Sequence, residues 1–472
     1  MVVSFSMQNI LETLSGTTSI TLPAIKENGL QLDYHNNDKP ETVYNGAEPP
    51  LPFANSVLYH ANIAEWKRLT AVDDRCKAVY EVTFDVTDCN FTFKAGDTIG
   101  VVPQNNEDEV NAVLRHLDLE SLADTSYILR VDSSIKGCKI PPHIPVKSTL
   151  KYLLTHCVDL RSILKKLFLL ALSRFTKDED ERKVLEYFCS KEGSTAYQAH
   201  ILNGNLCVLD IFNIFKSCKP PIEVLIANLP RLLPRPYSIV NTGVKDSSKI
   251  KICFSVIDLG NKRSGLTTGW LEKKISNEFE LEKDFNQLTI VDCDIVNNKI
   301  PIYLRKNICG FSLPENLEAP LILVGPGTGV APFIGFLEEL ELAKENNRNK
   351  TFGDVWLFFG CRDSTLDFIY EKELNGFLSR GVLNKFCTVF SRMDNAVKYV
   401  QDAILQEGES IAKLLDDGAF VFVSGDVNTM AMQIKETFVK CLTTYNNKTQ
   451  EEADKLISDM VKEKRYCVDA WS

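Results

Sequence analysis

Residues 321–330 read Leu-Ile-Leu-Val-Gly-Pro-Gly-Thr-Gly-Val. Four apolar residues make a short buried strand. Gly325, Gly327 and Gly329 then permit a sharp turn and a close approach of backbone to ligand. A helical pattern starts at Ala331, so free N–H groups and the positive end of a helix dipole converge where a phosphate binds. A tight turn between packed elements would carry the same glycines, so the surroundings must decide. Strand patterns at 321–324, 355–359, 385–390 and 420–423 alternate with amphipathic patterns at 331–344, 371–380, 397–407 and 429–442. That alternation predicts a doubly wound parallel sheet, with ligands beyond the carboxyl ends of its strands. Those ends are Gly325, Gly360-Cys361-Arg362, Ser391-Arg392 and Ser424-Gly425-Asp426, all small or polar.

Upstream the period is different. Residues 79–87 (VYEVTFDVT) alternate apolar and polar, and 93–103 read as a turn and second strand, an antiparallel signature. Amphipathic helix patterns follow at 108–117, 150–172, 180–189 and 206–215, and strand patterns return at 250–257 and 287–291. The expected order is a linker-like segment (1–53, with PETVYNGAEPPLP at 40–52), an antiparallel barrel (54–310) interrupted by a helical insert at about 107–225, and the parallel α/β domain (311–472).

Of 472 residues, 44% are apolar and 25% charged, the balance of a globular chain rather than a disordered one. Fifty-three basic against 63 acidic side chains give a formal charge of -10, which argues against a nucleic-acid coat. The apolar run at 167–172 (LFLLAL) is far short of the roughly 18 residues of a membrane span. The start, MVVSFSMQNILETL, has no basic region before an apolar core, so a cytoplasmic location is expected. The 14 cysteines include no C-x-x-C pair and read as reduced thiols. The six histidines (35, 60, 116, 143, 156, 200) show neither metal spacing nor a triad partner, so no metal site is expected.

Three further stretches could carry chemistry. In Pro234-Arg235-Pro236-Tyr237-Ser238, the tyrosine could face a planar cofactor, the arginine could grip a phosphate and the serine could reach a ring nitrogen. Gly265-Leu266-Thr267-Thr268-Gly269-Trp270 is a second helix start with hydroxyls beside a glycine turn. Ser391 and Arg392 offer a hydroxyl and a donor fork suited to an extra phosphate, with Lys398 and Tyr399 nearby. Trp471, one residue from the end, reads as a buried anchor or as a ring stacked on a cofactor.

The segments RPYS, GLTTGW, GPGTGVAPF, FFGCRD, FSR, KYVQ, SGD and a terminal DAWS occur in this order. Over about residues 54–472 the set resembles the FAD/NADPH half of the diflavin reductases, in the ferredoxin–NADP reductase superfamily that includes cytochrome P450 reductase. The phrases at 325–335 (GPGTGVAPFIG), 356–362 (WLFFGCR), 398–402 (KYVQD) and 464–472 (KRYCVDAWS) are closer to the branch that reactivates cobalamin-dependent methionine synthase. The resemblance implies an NADPH-dependent FAD flavoprotein reductase. It would pass electrons to methionine synthase or another redox acceptor through an FMN protein. It implies that Arg235, Pro236, Tyr237 and Ser238 hold FAD, that Cys253, Phe254 and Ser255 line it through backbone, and that Gly265, Leu266, Thr267 and Thr268 bind its pyrophosphate. Gly327 and Thr328 would meet NADPH phosphate. Ser391, Arg392, Lys398, Tyr399, Val400 and Gln401 would meet its 2′-phosphate region, with Lys77 nearby. Trp471 would cover the flavin ring, and Ser238, Ser424 and Asp469 would assist hydride transfer.

Three departures stand out. No flavodoxin-like segment is present in the chain, Ser424 replaces a family cysteine, and Gln433 replaces a family aspartate. In addition, 206–219 carries no Arg, where some relatives contact FAD. Two alternatives stay open: an NADPH diaphorase serving another acceptor through a separate flavodoxin, and a non-catalytic partner or chaperone that keeps the fold.

Overall fold

The structure is a computed structural model that describes residues 6–15, 19–35, 41–135, 137–260, 263–285, 299–394, 397–426 and 430–471. Its strands, among the described residues, are β1 (Leu30–His35), β2 (Tyr59–Arg68), β3 (Val79–Asp85), β4 (Thr98–Val101), β5 (Ser126–Val131), β6 (Lys147–Thr149), β7 (Arg235–Ser238), β8 (Lys249–Ser255), β9 (Ile300–Leu304), β10 (Leu321–Val324), β11 (Val355–Cys361), β12 (Lys385–Phe390), β13 (Phe420–Asp426) and β14 (Tyr466–Trp471). The chain divides into two compact units, Pro52–Val102 with Pro234–Ser472, and Met1–Leu51 with Pro103–Leu233.

The larger unit holds two sheets. One has six antiparallel strands in the order β7-β4-β9-β2-β3-β8, and the other has five parallel strands in the order β12-β11-β10-β13-β14. In the antiparallel sheet Val82, Phe84, Ile99, Ile250, Ile252 and Ile302 fill one core. The parallel sheet is buried on both faces, which is why its strands read as unbroken apolar runs. Leu321, Leu323, Leu357, Phe359 and Phe422 pack with Phe333 and Phe336 of the helix Ala331–Asn346. On the opposite face Ile322, Val324, Phe358, Val421 and Val423 pack with Ile434, Phe438 and Ile457. The first of these clusters also takes in Val79, Ala95, Val240 and Cys253 from the antiparallel part, so barrel and sheet share a core.

One polar group lies in that shared core. Tyr370 takes a left-handed φ of 55°, and its buried hydroxyl donates to Glu81 Oε2 at 2.7 Å. Lys67 Nζ stands 3.3 Å from Glu81 Oε1 and 5.5 Å from the Tyr370 ring centroid, so the buried carboxylate has a cation and a donor.

The smaller unit has a three-stranded sheet, β1-β5-β6, among helices that include Glu107–His116, Lys166–Ser173, Glu179–Cys189, Val208–Ile214 and Ile222–Asn228. Leu153, Leu169, Phe188, Ile211 and Leu225 lie in its core. The segment expected to be a linker (1–53) differs here. It supplies the helix Met7–Ser15, with Ile10 buried, and β1, paired with β5 from Leu30↔Val131 to His35↔Ser126. Tertiary pairing with β5 orders β1, whereas Met7, Ile10, Leu11 and Leu14 recur at helical spacing and face the core.

Other boundaries differ for identifiable reasons. The helix expected over 150–172 is broken. Val158 bridges Arg231, and the Asp159 carboxylate accepts the Arg161 N–H at 2.9 Å, so helix resumes only at Lys166. The turn and strand expected over 93–103 are present, as a turn at 94–97, in which Asp97 accepts the Lys94 N–H at 3.0 Å, followed by β4. The helix expected over 397–407 starts at Val400, where Asp402 accepts the Tyr399 N–H, and a second helix, Gly408–Asp416, follows. The strand expected at 287–291 lies outside the described residues.

Replacing Tyr370 by Phe leaves Glu81 buried with one donor fewer. Such a loss costs about 1–3 kcal/mol. The urea unfolding midpoint of Tyr370→Phe should fall accordingly, and an unchanged midpoint would show that the hydroxyl contributes nothing.

Candidate functional site

The central strand β10 ends in the glycine turn. The Gly325 N–H donates to the Phe358 carbonyl at 3.0 Å, and the Gly329 N–H to the Pro326 carbonyl at 3.0 Å. Gly327 has φ 57°, which an L side chain rarely adopts. A Cβ on Gly329 would lie 2.1 Å from the Ser424 carbonyl oxygen. Only glycine lets the turn close against the end of β13. The helix Ala331–Asn346 begins directly after it, with Thr328 half-buried in the turn.

The ends of β11 and β12 are tied together. The Ser391 N–H donates to the Cys361 carbonyl at 3.0 Å and the Arg392 N–H to the Arg362 carbonyl at 2.9 Å. Arg392 is exposed, and its Nη1 donates to the Arg75 carbonyl at 3.2 Å. The loop 70–77 is held there by the Ala71 N–H, which donates to the Leu366 carbonyl at 2.8 Å. It carries exposed Lys77 and Arg75, and the latter pairs with Asp73 at 2.8 Å. Lys398 and Tyr399 are exposed at the start of the helix Val400–Gln406. Gln401 Nε2 donates to Gln433 Oε1 at 3.1 Å, so the residue in place of the family aspartate adjoins this group.

The segment 235–238 is strand β7 rather than a turn. Thr98 of β4 stands opposite Ser238, and Ile99 opposite Tyr237. Side chains alternate along it. The Tyr237 ring packs edge-on to Phe254 at 6.3 Å between centroids, and burial pushes its phenol up. The Ser238 hydroxyl donates to Asp469 Oδ2 at 2.5 Å. Asp469 lies in β14, opposite Ser424 of β13. Burial raises the Asp469 carboxyl, while the Ser238 hydrogen bond and the charge of Arg305 pull it back down. Ser424 is fully buried, and its hydroxyl has no hydrogen-bond partner among the described residues. Along β8, Cys253 turns into the core shared by barrel and sheet, where burial pushes its thiol up to about 12, and Phe254 turns into the other core. Only backbone and Ser255 are left to serve a ligand there.

At the second helix start, the Gly265 N–H donates to the Ile257 carbonyl at 2.7 Å, and the helix Leu266–Phe285 begins. Thr268 Oγ1 accepts the Ile257 N–H at 3.4 Å. Thr267 Oγ1 is buried without a partner. An unsatisfied buried hydroxyl at a helix N-terminus fits an anionic ligand that accepts from it. Trp471 pairs its backbone opposite Asp426, while its side chain lies outside the described residues.

Sequence reasoning missed Arg305 and Arg75, which no motif flags, and strand β14, whose short polar-ended run gives no strand signal by itself. Arg75 stands only two residues from Lys77, a spacing that could have drawn attention to it.

A profile for the FAD binding domain matches residues 51–270, and one for the oxidoreductase NAD-binding domain matches 323–436. The chain is 32% identical to methionine synthase reductase of Rattus norvegicus, over 99% of this chain and 68% of that protein. It is 33% identical to methionine synthase reductase of Homo sapiens, over 88% of this chain and 61% of that protein. With NADPH–cytochrome P450 reductase of Musca domestica it shares 30% identity, over 84% and 56% respectively. The chain thus spans 61–68% of the length of the methionine synthase reductases it matches. These matches bear out the expected fold, an FAD-binding barrel followed by an NADPH-binding parallel sheet, and both cofactors.

Thr267→Val removes the unpaired hydroxyl while keeping the shape. Relief of a buried unsatisfied group is worth about 1–3 kcal/mol. The flavin-free chain should therefore gain stability while FAD affinity falls about tenfold, read by thermal melting and by flavin titration. Equal effects on both states would remove Thr267 from the cofactor site.

Proposed function

Because this chain belongs to the methionine synthase reductase family of FAD- and NADPH-dependent oxidoreductases, we propose that it takes a hydride from NADPH and sends electrons on to methionine synthase or another one-electron acceptor. The observation that carries this reading is the Ser238–Asp469 hydrogen bond, made where β14 ends opposite the buried, unpartnered Ser424. A barrel strand and two sheet strands there bring a hydroxyl, a carboxyl and a second hydroxyl to one point.

Bound FAD supplies the chemistry of accepting a hydride and releasing two electrons singly. The residues of the chain position and polarise. Arg235, Pro236, Tyr237 and Ser238, the backbone of 253–255, and Gly265 to Thr268 hold FAD. Gly327 and Thr328 receive NADPH phosphate at the helix start. Ser391, Arg392, Lys398, Tyr399, Val400 and Gln401, with Lys77, surround the 2′-phosphate. Trp471, whose side chain lies outside the described residues, would cover the flavin ring. Asp469 would supply negative charge beside the nicotinamide, Ser238 would orient it, and Ser424 occupies the place of the family cysteine. We assign the barrel with its insert to 54–310 and the nucleotide domain to 311–472. Among the described residues no helix is long and apolar enough to cross a membrane, in keeping with action in the cytoplasm.

Two experiments test the reading. A charge-assisted contact to phosphate is worth about 1.5–3 kcal/mol, or about 10- to 100-fold. Arg392→Ala should weaken NADPH binding by that factor and spare NADH, and equal losses would make Arg392 structural. For the exit route, the 472-residue chain should reduce ferricyanide well and cobalamin-bound methionine synthase hardly at all. Adding a flavodoxin-type FMN protein should restore the second reaction and saturate with its concentration, because an untethered encounter is bimolecular. Full reactivation without any FMN protein would refute that route.

A further inference from the structure

Arg305 follows β9, outside every motif that marks the cofactor sites, yet two observations place it on the sheet face that meets Asp469, and a third fixes its seat. The first is the sheet order β7-β4-β9. Thr98 of β4 stands opposite Ser238 on one side, and on the other its carbonyl accepts the Arg305 N–H at 2.9 Å. Residues opposed across adjacent strands share a sheet face. Ser238, Thr98 and Arg305 therefore form one row on one face, while Ile99, Leu304 and Tyr237, one position along, turn to the barrel core. The second observation is that this row meets Asp469, through the Ser238 hydroxyl at 2.5 Å.

The third is the seating of the guanidinium. Its carbon lies 5.4 Å from the centroid of the Phe53 ring. Phe53 is held at a left-handed φ of 55° and is 55% exposed, an unfavourable place for an aromatic unless the ring has work there. Backbone bonds on both sides fix it against Arg305. The Lys306 N–H donates to the Phe53 carbonyl at 2.8 Å, and the Asn55 N–H to the Leu304 carbonyl at 2.8 Å. A cation over an aromatic face gains attraction and loses rotamer freedom, so Arg305 is aimed rather than left to roam.

We propose that Arg305, seated on Phe53, is a positioning residue for hydride transfer that acts on Asp469 across the sheet face Arg305 shares with Ser238. This rests on the placement of the hydride site at Asp469. The groups facing Asp469, among the described residues, come from three elements. β7 presents Ser238 and begins with Arg235, β13 presents the uncharged Ser424 and ends in Asp426, and the segment after β9 presents Arg305. Burial favours the protonated acid, and the Arg305 charge opposes it. Hydride departure leaves positive charge on the nicotinamide ring, which an ionised Asp469 stabilises and a protonated one does not. Loss of Arg305 therefore moves the acid limb of the reaction to higher pH.

The test compares the FAD-loaded wild type with Arg305→Gln, Arg305→Lys and Asp469→Asn. Stopped-flow flavin reduction by NADPH is followed from pH 5 to 9. Independently, the carbonyl stretch of protonated Asp469 is titrated by infrared spectroscopy with carbon-13-labelled aspartate and assigned by its loss in Asp469→Asn. In Arg305→Gln both midpoints should rise by about one unit, a tenfold gain in proton affinity, with the high-pH rate little changed. Arg305→Lys, which keeps the charge, should return most of the shift. A wild-type infrared midpoint in Arg305→Gln would overturn the proposal. A wild-type reduction rate in Asp469→Asn would instead overturn the placement of the hydride site, while the infrared titration would still report on Arg305.

Discussion

The arrangement depends on the parallel pairing of β10 with β11 on one side and β13 on the other, in a register that sets Leu321 beside both Val355 and Phe420. Parallel strands in register place their carboxyl ends at one edge. Gly325, Cys361, Ser391 and Ser424 arrive there together, and the glycine turn folds over the edge because its backbone can touch the Ser424 carbonyl region. Shift β10 by one residue and its two buried faces exchange, so the apolar packing of Leu321 and Leu323 against Phe333 and Phe336 holds the site in place.

The antiparallel part supplies the other half of the site by a different rule. Alternation along β7 sends Tyr237 toward the barrel core and Ser238 toward Asp469. The same alternation along β8 commits the Cys253 side chain to packing. Barrel and parallel sheet are joined by the shared core around Phe311, Phe333, Phe336 and Phe422, whose rings meet at 5.1–6.0 Å, and by the Tyr370–Glu81 hydrogen bond. That joint decides how far Ser238 stands from Asp469, so packing remote from the cofactors bears on the reaction.

Ser424 illustrates the cost of a functional position. A hydroxyl fully removed from water, with no protein partner, destabilises the fold by about 1–3 kcal/mol. Thr267 has the same character at the other helix start. Buried hydroxyls of this kind are expected of sites that are complete only with ligand bound.

Much of this was legible in the residues themselves. β10 falls where its apolar run of strand length places it, because a strand buried on both faces leaves an unbroken hydrophobic signal. The glycine turn and the two helix starts follow from backbone requirements that few residues meet. The helix over 150–172 was not legible, because the Val158–Arg231 bridge that breaks it joins positions far apart in the chain. Nor was β1, whose order comes from β5. Trp471 and Asp469 stood out by composition and resemblance, but that they lie in a strand follows only from the parallel partner β13. Local periodicity and turn chemistry thus determined the fold class and the glycine turns, since both act between near neighbours. The meeting of Ser238 and Asp469 beside Ser424 was decided by tertiary structure alone, because these residues are brought together by sheet register and by a core shared between two sheets.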